Sequence, residues 1–136
     1  MKEIILKNTL IELVASATEN TKSEVNFDVL DVKTKKKLFE IYTDNEDLLN
    51  GHFEFIINDV SEKCDDRKME EALKLFVDFL FISFPIHKIC YKTNQRNINT
   101  IKILMKLGFE VEACLKQDIY LGGEYVDKIV LAIFRK

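Results

Sequence analysis

The sequence predicts a single mixed α/β domain: a largely antiparallel sheet of about seven strands, a central βαβ crossover and two main helices. Three observations predict it. Apolar residues alternate with polar ones along much of the stretch 10–57, which is the period of a strand. From Met69 onward they recur at three- and four-residue steps, the period of a helix. Residues 97–136 then read as helix, glycine stop, long strand, Gly-Gly turn and strand.

Taken in order, residues 10–17 make a first strand, with 4–6 extending it, and the polar stretch 18–24 is a loop. Residues 25–32 follow as a strand with Val25, Phe27 and Val29 on one face and Asn26, Asp28 and Leu30 on the other. Residues 33–37 turn the chain, and 38–42 return as the partner strand. Residues 43–50 are polar, Gly51 ends them, and 52–57 form a further strand. Connections this short exclude crossover helices, so these strands form a meander. Met69, Ala72, Leu73, Phe76 and Leu80 place a helix over residues 67–84, apolar nearly all round in its second half and ended by Pro85. Residues 87–93 are a strand. The connection from 52–57 through the helix makes a right-handed βαβ unit with parallel strands. Asn97 suits the N-cap of a second helix carrying Ile101, Leu104 and Met105 on one face. Gly108 suits the left-handed position after it, with Phe109 folding back onto the last turn. Val111, Ala113, Leu115, Ile119 and Leu121 alternate with charged residues, and Gly122-Gly123 turns the chain into a last strand over 126–134.

The 136 residues are 47% hydrophobic, enough for one core, and neither an internal repeat nor a linker divides them. A net charge of −3 supplies no global field for nucleic acid, so a nucleic-acid partner is not expected. Three cysteines, Cys64, Cys90 and Cys114, are odd in number and lack metal-ligand spacing, so they read as free thiols in a reducing cytosol, and no metal is expected. The start of the chain is too short in apolar run for a signal peptide. Residues 75–84 are too short, and with Asp78 too polar, to span a bilayer. A cytoplasmic protein with no membrane partner is the expectation.

Several local patterns carry a resemblance. Lys88-Ile89 through Thr93, then Asn97-x-x-Thr100, then Leu104-x-x-Leu107-Gly108-Phe109, is similar to the strand, N-x-x-S and L-x-x-L-G-F run of the GNAT N-acetyltransferase superfamily. Asp127 after the Gly-Gly turn continues the match, and Glu71-Ala72 resembles the E-A pair of the family's cofactor helix. The chain most resembles the ribosomal-protein-alanine acetyltransferase branch. The resemblance implies an acyl-CoA N-acyltransferase-like fold, acetyl-CoA as cofactor, and a primary amine of a protein N-terminus or small molecule as acceptor. It places Asn97 beside the pantetheine arm, the backbone of Ile56 and Ile57 along that arm, and Arg67, Lys68 and Met69 at the phosphates. Glu54, on the strand before the cofactor helix, is the candidate base, its pKa raised by Phe53 and Phe55. Equally, Glu54 is what the solvent face of an alternating strand looks like, and Asn97 what a helix N-cap looks like. The family's tyrosine acid is replaced by Leu104, leaving Tyr91 and Tyr120 as substitutes or as packing.

Two departures stand against the resemblance. Family members place R/Q-x-x-G-x-G/A before the central helix, where backbone N–H groups cradle pyrophosphate. Here the stretch is Cys64-Asp65-Asp66-Arg67-Lys68-Met69, with no glycine and two carboxylates. Asp65 or Asp66 as a helix cap, with Glu70 and Glu71 complementing the dipole, explains the acids without a ligand. Residues 18–24 also leave no room for the two helices that usually wall the acceptor groove, so that wall is missing or comes from a partner protein or a homodimer. His52 and His87 read as surface or capping residues. Lys33, Lys35, Lys36 and Lys37 are the sole basic cluster, either a solvated sheet edge or a contact for an acidic partner or RNA. Two functions follow: an acetyl-CoA-dependent N-acetyltransferase, or a GNAT-fold binding module that has lost acyl transfer.

Overall fold

The computed structural model describes residues 5–15, 25–58 and 60–135. Its element order is β1 (Ile5–Lys7), β2 (Ile11–Ala15), β3 (Asn26–Asp31), β4 (Lys37–Asp47), β5 (His52–Asn58), α1 (Asp66–Ser83), β6 (Lys88–Asn94), α2 (Ile98–Lys106), β7 (Glu110–Leu121) and β8 (Glu124–Phe134). The eight strands form one sheet in the order β1-β2-β3-β4-β5-β6-β8-β7. Pairing is antiparallel except between β5 and β6, which the α1 crossover joins in parallel. The mixed sheet, crossover and two helices are those expected.

Both helices feed one core on a single face of the sheet. Phe27, Phe55, Phe76, Phe109, Leu73, Leu80 and Leu104 are all at most 2% exposed. Phe55 contacts Phe76 of α1 and Phe109 beyond α2 edge-on. The spacing that predicts α1 is the buried face itself: Met69, Ala72, Leu73, Phe76, Val77 and Leu80. Asp65 caps it, its carboxylate accepting from Lys68 N at 2.8 Å. At the end of α2, Phe109 N donates to Leu104 O and Gly108 N to Met105 O, a Schellman closure that needs the positive φ of Gly108, +111°.

The described residues give eight strands where about seven were expected, and two expectations need correction. Residues 4–6 were expected to extend the first strand, but Ile5–Lys7 is a separate strand, antiparallel to β2, because the Asn8 side chain accepts from Leu10 N and Ile11 N and turns the chain. The polar stretch after Tyr42 is not loop: β4 runs to Asp47, kept in register by β5 and irregular between Asp44 and Asp47. Val111, Leu115 and Leu121 of β7, at the edge of the sheet, are exposed. The stretch 18–24 lies outside the described residues. The opposite face of the sheet carries ion pairs, including Lys37 with Asp28 and Glu40, Lys92 with Glu54, and Lys88 with Glu112.

Candidate functional site

The centre of the sheet comes apart. β5 and β6 share three rungs, His52↔Lys88, Phe53↔Ile89 and Glu54↔Cys90, yet continue to Asn58 and Asn94. β4 holds the outer edge of β5 throughout, and β8 that of β6. A cleft therefore opens between residues 55–58 and 91–94. The stacked rings of Phe55 and Tyr91, 4.8 Å apart, lie across it. Backbone N–H and C=O groups along the facing edges lack a strand partner here. Unpaired donors and acceptors of this kind can bond an extended amide-bearing molecule or water. Ile56 and Ile57 lie on this edge, both half-buried.

At the mouth of the cleft Asn97 donates through Nδ2 to Thr93 Oγ1 at 3.0 Å and makes no cap hydrogen bond to α2. It holds the expected N-cap position, its carbonyl accepting from Ile101 N, but its side chain does not cap. A φ, ψ of −80°, 56° sets its side chain against β6 instead of the helix N–H groups. Burial pushes the Tyr91 hydroxyl up, partly offset by hydrogen bonds with Asn97 and Thr93. Tyr91 stays protonated at neutral pH, with a proton to give.

The start of α1 faces elsewhere. Lys68 pairs with Asp31 at 2.8 Å, and Met69 is buried in the core. Arg67 is exposed. Asp31 is held down to about 2, chiefly by the Lys68 hydrogen bond and by the Thr34 N–H. Burial, helped by Asp65, pushes the Cys64 thiol up to about 11, which makes it a poor nucleophile.

Glu54 lies on the helix-free face beside the last shared rung. Its carboxylate takes Lys92 Nζ at 2.7 Å and Asn45 Nδ2 at 2.9 Å. Burial raises its pKa, but the Lys92 and Asn45 hydrogen bonds and the Lys92 and Lys128 charges reverse this, leaving it below its ordinary value. The expected elevation by Phe53 and Phe55 is corrected, because both rings point to the opposite, helix-covered face. A cavity of about 490 Å³ surrounds Glu54, with Glu46, Asp47, His52, Cys90 and Lys92 in its walls. His52 and His87, distant in sequence, stand edge-on with ring centroids 5.2 Å apart. No metal-binding cluster occurs among the described residues. A separate cavity, about 590 Å³, lies between α1, the end of α2 and the end of β8, and contains none of these groups. Lys92 and Thr93 were not singled out from sequence. The available signal was the parallel register that sets β6 beside β5.

Comparison with known proteins gives the following. No family model matches. A probable N-acetyltransferase YjcK of Bacillus subtilis is 34% identical over 65 residues, 48% of this chain and 36% of that protein. The spermidine N(1)-acetyltransferase of Escherichia coli K12 is 33% identical over 64 residues, 47% of this chain and 34% of that protein. The matched segment thus spans about a third of the length of these curated relatives. Among solved structures, spermidine N-acetyltransferase from Vibrio cholerae, in complex with CoA and spermine, superposes with a TM-score of 0.76 at 20% identity. It covers 85% of this chain and 68% of that one. A GNAT-family acetyltransferase from Bacillus anthracis superposes at 0.69 and 19% identity, over 80% and 65% of the two chains. The fold is therefore the GNAT, acyl-CoA N-acyltransferase-like fold expected from the sequence.

Proposed function

We propose that this chain is an acetyl-CoA-dependent N-acetyltransferase acting on a primary amine. The observation that carries it is the β5–β6 cleft, whose unpaired strand edges suit the amide-bearing pantetheine arm. The acetyl thioester supplies the carbonyl that a neutral amine attacks directly. Ile56 and Ile57 hold the arm by backbone hydrogen bonds, with Asn97 beside it. Glu54, ionised at neutral pH, accepts the ammonium proton through a water. Tyr91 gives its proton to the leaving thiolate. Lys68, beside Arg67 and Met69, meets a phosphate.

The acceptor we favour is a polyamine. Supporting it are the named relatives and the carboxylates of Glu46 and Asp47 around Glu54, which suit a substrate with several positive charges. A protein N-terminal alanine, the acceptor of the branch indicated by sequence, is the alternative. A second copy or partner protein completes the acceptor side. No described helix is long and apolar enough to cross a membrane, and we place the protein in the cytoplasm.

One observation favours a second reading, a non-catalytic GNAT-fold module. The start of α1 is closed by its own acids: Asp65 takes Lys68 N, and Asp31 takes the Lys68 ammonium. Thermal unfolding decides. Acetyl-CoA at ~100 times its Kd adds about 2.7 kcal/mol, a rise of roughly 10 °C at this chain length. With that rise, acetyl transfer to spermidine, but not to an alanine-starting peptide, supports the polyamine reading. No rise at saturating acetyl-CoA moves the assignment to the binding module.

A further inference from the structure

We propose that a lysine-lined cavity between the β3–β4 turn and the loop before α1 binds the phosphate groups at the nucleotide end of acetyl-CoA. This rests on the acetyl-CoA reading above. The cavity, about 380 Å³, is lined by Thr34, Lys36 and Lys37 from one side and Ser61, Lys63 and Lys68 from the other, with Asp31 and Leu38 at its back. The turn and the loop are far apart in sequence. Ser61 N donates to Leu38 O at 2.7 Å and brings them together.

Charge and donor chemistry both point to an anion. Lys37 and Lys68 are matched by Glu40, Asp28 and Asp31. Lys36 and Lys63 have no carboxylate at ion-pair distance among the described residues, so two positive charges share one small cavity uncompensated. The one lining carboxylate, Asp31, is already spent: Oδ1 accepts from Lys33 N and Thr34 N, and Oδ2 meets Lys68. Each hydroxyl oxygen already accepts one backbone N–H, Thr34 Oγ1 from Lys36 N at 3.3 Å and Ser61 Oγ from Lys63 N at 3.2 Å. Thr34 and Ser61 each still have a proton to donate. Two ammonium groups and two hydroxyl donors around one space are a phosphate's requirement, since its oxygens only accept.

Location fits the same ligand. The cleft lies on the β6 side of β5 and the lysine cavity on its β4 side. Neighbouring strands are about 4.8 Å apart. A molecule leaving the open end of the cleft reaches the lysines by crossing the end of one strand. The basic turn, legible in sequence as a solvated edge, thereby takes over from an α1 N-terminus that Asp65 has closed.

The test is calorimetric titration of the full chain and of a Lys36→Ala/Lys63→Ala variant with acetyl-CoA, acetyl-pantetheine and inorganic pyrophosphate. Both lysines are exposed, and circular dichroism confirms that the variant folds. The expected result is about a tenfold loss of acetyl-CoA affinity per lysine removed and a shallower salt dependence. Acetyl-pantetheine affinity should not change. Equal acetyl-CoA affinity in both proteins overturns the lysine site and leaves the acetyltransferase reading intact. Pyrophosphate binding that the variant loses, with no acetyl-CoA binding by either protein, keeps a phosphate site but overturns its assignment to acetyl-CoA. No binding of either ligand overturns both.

Discussion

At the scale of single residues, Glu54 and Asp31 each have a lysine partner that lowers the carboxyl pKa. Glu54→Gln keeps the shape and removes the proton acceptor, so kcat/KM for amine acetylation should fall about 10²-fold. The half-exposed pair with Lys92 is worth at most about 1 kcal/mol, so Tm should barely move. Because the Glu54 pKa lies below its ordinary 4.5, its limb of the pH–rate profile falls below that pH, and any rise at alkaline pH belongs to the amine. A limb near neutrality would remove Glu54 from the role. Asp31 reports on stability. Its folded pKa, about 2, is below the ordinary 3.8, so its contribution is complete above 3.8 and drains away as pH falls toward 2. Asp31→Asn should therefore lower Tm at pH 7 and match the wild type near pH 2; parallel Tm curves across that range would refute the linkage. Sequence placed Glu54 on the right kind of strand through a period of two. It did not reveal Lys92, because the β5–β6 register belongs to the crossover and not to either strand. Asn97 stood in the right place, but its side chain had two suitors and took Thr93.

Element by element, the helix ends were the clearest signals. Asp65 caps α1, and Gly108 closes α2. Gly108→Ala forces a side chain into φ +111° and brings its Cβ to 3.4 Å from Ile133 Cδ1. That should cost about 1–2 kcal/mol, or roughly 5 °C, by thermal denaturation. The strands were less legible. Alternation identifies a strand but not its number of neighbours, and β7 shows the consequence. It is irregular after Val111 and Leu115, and Gln117 sits at φ +50° with its N–H on the Asp127 carboxylate. Native-state hydrogen exchange should find β7 amides that face away from β8 poorly protected, and β8, flanked on both sides, strongly protected. Equal protection at β7 in concentrated solution, lost on dilution, would mean that a second copy lies along the edge.

Across the whole molecule, the order of elements was readable because helix and strand periods differ so sharply at Met69 and again at Gly108. The eighth strand was missed because three residues, Ile5–Lys7, carry too little pattern to separate from β2. The opening of the sheet was legible only through the family resemblance, since no local preference records where two strands stop pairing. That opening also has a mechanical meaning. β1 to β5 form one antiparallel raft, and β6, β8 and β7 another. Three parallel rungs, the α1 crossover, the Phe55–Tyr91 stack and the Glu54–Lys92 pair join them. Stretched in optical tweezers by handles on β3 and β8, the protein should yield first at this seam, with both rafts still intact. A molecule bridging the two lips would then act as a rivet, raising the rupture force without altering either raft.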